Sequence, residues 1–291
     1  MSNSKDRPLP ALSEISESVA SGSVAALYAD IRAVLGVDLV NLIYRHLATV
    51  PGGLEWAWAN LRPHFQSGEI DAQAELLRND VRGAFPSRPE DFAFAPCHPS
   101  ELTSAARLTQ VYNLNNSRNL MAFRHLLGEG TGLAPMASVT NPRTNSAQTS
   151  NANPLPAIPS WEEISAVDRE KVLRINRLGE SQEPTIVASL YRHLMLWPSL
   201  LGDVETALMR IDARGGIARA LAFTVESSQN IAQAHPLTMP VTAPDAVDAP
   251  LLARLRAFVD ITIPKMVPVG LAIESALTIA TPSLQRETPC T

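Results

Sequence analysis

The sequence predicts an all-α protein, and three observations carry that prediction. Apolar residues recur at three- and four-residue spacing in every long segment free of proline clusters, the periodicity of helices with one buried face. No stretch shows the strict alternation, or the short valine- and isoleucine-rich run bounded by turns, that a strand requires. Glycine is scarce, at 14 of 291 residues, while alanine is abundant, a balance that favours helices. With 45% apolar residues the chain can bury a proper core.

Taken in order, residues 1–15 form a polar arm that is expected to be loose. The first helical text is "EISESVASGSVAALYADIRAVL". "LIYRHLATVPGGLEWAW" follows as a helix, a Pro-Gly-Gly break and a second helix. "FPSRPEDFAFAPCHPS", with three prolines before its last serine and proline pair, separates this group from the Asn-rich helix "VYNLNNSRNLMAF". Residues 132–160 are rich in Ser, Thr, Asn and Pro and poor in large apolar groups, which makes them a linker. "PSWEEISAVDREKVLRINRL" opens on a capping-box pattern, Ser160 with Glu163. "SLYRHLMLWPSLLGDV" and the proline-rich "HPLTMPVTAPDAVDAP" precede "FVDITIPKMVPVG", where Pro264 and Pro268 are expected to kink or break the last helix.

The order repeats. Tyr44 and Tyr191 lie 147 positions apart, as do Pro51 and Pro198, and five of the eight residues from Tyr44 to Pro51 match their counterparts. This predicts an internal duplication of a unit of about 130 residues, with repeat 1 at 16–131, the linker at 132–160, repeat 2 at 161–285 and a loose tail at 286–291. Two such units are expected to pack as a pseudo-dimer about an approximate two-fold axis.

The repeated helix frames the candidate site. His46 and His193 fall inside its apolar stripe, where they are either packed neutral imidazoles or proton-transfer groups facing a shared cavity. Arg45 and Arg192 either end as solvated or bridging groups or clamp a carboxylate. Four asparagines, Asn113, Asn115, Asn116 and Asn119, sit in one helical pattern although asparagine prefers caps and turns. Such a cluster suits holding a water or a carbonyl, and equally a kinked junction. Its counterpart carries Asp260.

A net charge of −5 gives no reason to expect nucleic acid or an acidic membrane surface as partner. Apolar runs are broken by Arg, Lys or Pro, so no bilayer span and no secretory leader is expected, and a cytoplasmic protein is the default. Cys97 and Cys290 are too few for a disulfide framework, the six histidines show no ligand spacing, and no nucleotide-binding or metalloprotease motif occurs. No metal or cofactor is expected. A small-molecule ligand is, and homodimerisation is left open.

On "YRHLATVPGGLEWAW", "YNLNNSRNL" and the "LWP" that closes the second YRH helix, the chain resembles the group I 2-haloacid dehalogenases, active on D- and L-2-haloacids. The resemblance implies two helical repeats with an active site between them. It also implies hydrolysis in which an aspartate activates a water that displaces halide directly. Carried over, the water-holding asparagine falls on Asn116 and the serine before the base on Ser189. The aspartate falls on Leu190, which cannot accept a proton, and two pocket-lining aromatics fall on Leu39 and Leu42. The base is then His193, His46 or Asp260, or the branch does other chemistry. The expectation is a cofactor-independent enzyme acting on a small organic acid between the repeats, with Asn113 and Asn119 near the substrate. The alternative is a non-catalytic relative that binds a small hydrophobic ligand.

Overall fold

The computed structural model describes residues 12–85, 91–94, 99–129, 155–182, 184 and 186–287. Thr185, Cys97, Cys290 and most of the 132–160 linker lie outside them. Among the described residues there are helices and no strands, so the all-α expectation stands. The first half contributes α1 (Gly22–Leu35), α2 (Leu42–Leu47), α3 (Gly53–Ser67), α4 (Glu69–Arg82) and the long α5 (Pro99–Leu126). The second half contributes α6 (Ala166–Arg177), α7 (Ser189–His193), α8 (Pro198–Ala213), α9 (Gly216–Ala234), α10 (Ala249–Ala257) and α11 (Ile263–Glu287). The order is the same in both halves, and α2 and α7, like α4 and α9, start 147 positions apart.

Local sequence explains the boundaries. α3 meets α4 at Gly68 (φ 83°), and α8 meets α9 at Gly215 (φ 66°), again 147 apart. Both take the left-handed conformation that a side chain resists. The Ser165 hydroxyl caps α6 by accepting from the Asp168 amide, and the Asp248 carboxylate caps α10 by accepting from the Leu251 amide. The Ser160–Glu163 pattern starts no helix. Glu163 accepts from the Ser160 amide at 2.7 Å, but the segment turns there and α6 begins at 166. The arm differs from expectation too: its last described residues are tied down, with the Ile15 amide donating to the Arg45 carbonyl at 3.0 Å.

The core forms two apolar clusters, and the long helices cross between them. One cluster joins Tyr28, Ile43, Leu54 and Leu61 of the first half to Leu255, Phe258 and Ile263 of the second. The other joins Ile175, Leu190, Leu201 and Ile217 of the second half to Leu102, Leu108 and Tyr112 of α5. The Pro-rich connections cross as well. The Val241 carbonyl accepts from Trp56 Nε1 and Asn60 Nδ2, and Asp91 pairs with Arg214 at 2.7 Å. Trp56 thus packs against the second half's Pro-rich connection, and Trp58 Nε1 donates to Asp30.

α5 and α11 cross closely at Gly270, where an added Cβ would lie 1.9 Å from Asn113 Oδ1. Beside this point Asn113 Nδ2 donates to Glu274 at 2.6 Å. The predicted kink at Pro264 takes another form: α10 and α11 are joined by a π turn, Phe258–Thr262, and α11 runs on through both prolines. The Ile263 amide reaches back five residues to the Phe258 carbonyl. The Val259 carbonyl would next receive the amide of residue 264, but proline has none. Arg124, fully buried, supplies the missing donor from Nη2 at 3.0 Å. Its other nitrogens hold Ser228 Oγ at 2.6 Å, Glu129 at 2.6 Å and Asp260 at 3.4 Å.

The run from 249 to 280 is long and apolar enough to cross a bilayer by length and composition, contrary to the expectation that proline and charge would exclude such a run. Most of its apolar window, 61%, is buried inside the fold, as suits a core helix.

Gly270→Ala is expected to force Asn113 off Glu274 and cost about 1–3 kcal/mol as overpacking, measured by urea unfolding. Arg124→Met should cost about 3 kcal/mol or more, because it leaves a π-turn carbonyl and a buried hydroxyl without their charged donor; an unfolding midpoint unchanged from wild type would contradict this account of the π turn.

Candidate functional site

Where the halves meet, the first turns of α2 and α7 face the middle of α5 and the π turn, and a cavity opens between them. One wall comes from the first half: Asn41, Leu42 and Ile43 at the start of α2, with Tyr112 and Asn116 one turn apart on α5. The second half supplies Ala188, Ser189 and Leu190 at the start of α7, with Phe258, Thr262, Ile263 and Met266 around the π turn. Residues 41–43 and 188–190 are 147 apart, as are 116 and 263. The cavity measures about 40 Å3 as room for water centres, and about 10–15 Å3 suffices for one water. It therefore takes a few waters or a molecule of a few heavy atoms.

Among the described residues lining it, none is an acid, a histidine, a lysine or an arginine. Its polar groups are the amides of Asn41 and Asn116, the hydroxyls of Ser189 and Thr262, and the Tyr112 phenol. Asn41 Oδ1 is buried without a protein donor. Leu190, 1% exposed, fills the position where the resemblance places a carboxylate.

Of the residues singled out in the sequence, Asn116, Ser189, Leu190 and Leu42 meet at this cavity. The others stand behind its walls or away from it. His193 Nε2 donates to the Pro156 carbonyl at 2.9 Å, so the neutral ring presents Nδ1 as an acceptor, and the Tyr112 hydroxyl donates to it at 3.2 Å. Burial pushes the His193 imidazole down to about 4 and the Tyr112 phenol up to about 12. His46 Nδ1 donates to the Ser13 carbonyl at 2.7 Å, its ring lies 6.4 Å from that of Phe258, and burial lowers its proton affinity too.

Arg45 and Arg192 do hold a carboxylate, but it belongs to Glu14 of the arm. Asn113 serves the α5–α11 crossing. Asn119 Oδ1 accepts from the Tyr44 hydroxyl at 3.0 Å, and the fully buried Asn115 amide has no protein partner. Asp260 faces Arg124 with 40% of its side chain exposed, and Leu39 packs in the second core cluster.

Tyr112 and the π turn escaped sequence reasoning. Tyr112 lies four residues before Asn116 and so shares its helix face, a signal that was present but reads equally as core. The π turn depends on Arg124, 140 positions before Pro264, and leaves no local trace.

No protein-family model matches the chain. Among curated proteins, an (R)-2-haloacid dehalogenase from Pseudomonas putida is 35% identical over 75 residues, which is 24% of this chain and 24% of that protein. The matched stretch thus spans about a quarter of the relative's length. Solved structures match far more widely. A D-2-haloacid dehalogenase mutant superposes with a TM-score of 0.71 at 12% identity, covering 93% of this chain and 96% of the other. A mutant in complex with D-2-CPA and the enzyme with L-LA each superpose at 0.67, with 14% and 13% identity and the same coverage. The chain has the fold of the D-2-haloacid dehalogenases, and its aligned 75-residue stretch is similar in sequence to an (R)-2-haloacid dehalogenase.

Proposed function

We propose that the cavity between the halves binds a small, mostly apolar organic molecule, and that this dehalogenase-like chain does not use aspartate-driven hydrolysis there. The observation that carries this reading is Leu190, buried in the wall where a carboxylate base would stand, within a lining that among the described residues has no acid or imidazole. Leu42, Ile43, Phe258 and Met266 would take the ligand's apolar body. Asn41, Asn116 and Ser189 offer hydrogen bonds for a single polar end.

One observation favours a second reading, hydrolysis of a small haloacid. Tyr112 lines the cavity and is bonded to His193. A water held by Asn116 would give a proton to the Tyr112 oxygen while Tyr112 passes its own to His193 Nδ1. The water oxygen would bond to the carbon bearing the halogen, and halide would leave with the bonding electrons. The step ends on a buried imidazolium, which desolvation and the nearby Arg192 and Arg45 disfavour. That cost places it second.

Two measurements decide between them. Purified protein given either enantiomer of 2-chloropropionate is expected to release no halide. Native mass spectrometry is expected to show a small molecule retained by the wild type and lost in Leu190→Trp, which fills the cavity. Halide release that disappears in both Tyr112→Phe and His193→Gln would establish the second reading instead.

The proton state of His193 also sets a pH dependence. The unfolded imidazole binds its proton near pH 6.5, whereas the folded one waits until about 4, and His125 behaves alike. Between these values the unfolded chain holds more protons, so stability is complete above about pH 6.5 and falls as pH drops toward 4. Each histidine contributes about 1.4 kcal/mol per pH unit across that window. His193→Gln should flatten the stability profile between pH 6.5 and 4 relative to wild type in parallel unfolding titrations.

A further inference from the structure

The charges nearest the seam form an arrangement that the cavity reading does not use. Arg45 and Arg192 stand 147 positions apart on α2 and α7, and both reach one carboxylate. Arg45 Nε donates to Glu14 Oε2 at 2.5 Å and Arg192 Nη2 to Oε1 at 3.3 Å, so each guanidinium takes one oxygen. The three side chains are 5%, 13% and 18% exposed, in the order Arg45, Arg192, Glu14. The Arg192 guanidinium lies 5.7 Å from the centre of the Trp161 ring, a cation–π placement. Arg45 Nη2 is 3.4 Å from Ser189 Oγ, at the edge of the cavity.

Glu14 belongs to neither helix. It comes from the arm, and its neighbours pin the backbone on both sides: the Ser13 carbonyl accepts from His46, and the Ile15 carbonyl accepts from the Tyr28 hydroxyl at 2.8 Å. Two sheltered guanidiniums therefore meet a single carboxylate that is supplied by a separate segment. Planar guanidinium forks suit carboxylates in particular, and sheltered cations without an anion are costly.

We propose that Arg45 and Arg192 form a carboxylate-binding site built from both halves, and that Glu14 is its resident occupant, shutting small external carboxylates out of the polar edge of the seam. The arm is thus an intramolecular ligand. Its backbone contacts keep it in place while the side chain alone fills the site. The inference stands apart from the cavity reading, because the arginine pair remains whether or not anything binds beside Leu190.

Chemical rescue in the full-length protein tests it. Glu14→Ala should lower the thermal midpoint. Acetate should then raise that midpoint by several degrees and bind at least tenfold more tightly than to wild type by calorimetry. Chloride and neutral acetamide should do neither. Adding Arg192→Gln should abolish the rescue, whereas adding Leu190→Trp should leave it intact. Equal acetate effects on wild type and variant, no acetate-specific rescue in a folded variant, or loss of rescue with Leu190→Trp would each overturn the proposal. Should Glu14→Ala fail to fold, Glu14→Ser, which also empties the site, carries the same comparison.

Discussion

The crossing of α5 with the α10–α11 run is the constraint on which the rest of the structure depends. Each long helix places one stretch in the core built mainly by the other half, so neither cluster is complete without its neighbour's helix. At the crossing, the Gly270 backbone lies against Asn113, and the Asn113–Glu274 bond closes the contact. Further along, Arg124 of α5 reaches into the π turn and replaces the donor that Pro264 lacks. Proteins tolerate a π turn at a defined place when something repairs the broken ladder. Here the repair comes from the opposite half, so the shape of the cavity wall at Phe258 and Thr262 is set by the packing of the halves together.

The same packing decides the electrostatics of the seam. Cations lie close to the cavity, yet among the described residues none lines it, because those nearby are satisfied behind the wall. Arg45 and Arg192 face Glu14, and Arg124 faces a carbonyl, a hydroxyl and two carboxylates. Lys265, 1% exposed, donates to the Asn176 carbonyl and pairs with Glu180. What remains for the cavity is apolar surface with neutral amides and hydroxyls. A ligand there would meet directional hydrogen bonds and little net charge, and under the proposed reading shape and a single polar group would be the means of selection.

Much of this was legible in the sequence for definite reasons. Helical periodicity and the absence of alternation gave the fold class, since both are properties of local spacing. The 147-residue offset pointed to the pair of short helices, and residues 41–43 and 188–190 line one cavity. The asparagines were read as one cluster, but only Asn116 faces the cavity. Helix geometry spreads four asparagines within seven residues over several faces, and Asn113 and Asn119 turn instead to Glu274 and Tyr44. The arginines were read either as solvated or bridging groups or as a clamp for a carboxylate; they bridge to Glu14, which lies in an arm whose polar composition reads as loose. Pro264 was read as a break because the donor that rescues it comes from a distant helix.

The repeated Tyr-Arg-His triplet can now be understood residue by residue. Tyr44 and Tyr191 are each about 1% exposed or less, one in each core cluster. Arg45 and Arg192 share Glu14. His46 and His193 each donate one ring N–H to a carbonyl of the segment that leads into their half, Ser13 in one case and Pro156 in the other. Every member of both triplets thus has a packing or docking partner before any chemistry is invoked. Between the two histidines one contact breaks the correspondence. His193 accepts from Tyr112 through Nδ1, while His46 leaves Nε2 unpartnered in the protein. Burial keeps both imidazoles neutral, so neither is a strong base. The asymmetry matters because the His193 ring is hydrogen-bonded to a residue of the cavity wall, whereas His46 only packs its ring against one, Phe258. If the seam performs proton transfer at all, the route passes through Tyr112; if it only binds, the same bond holds the Tyr112 ring against the cavity and keeps its hydroxyl from competing with the ligand for Asn116.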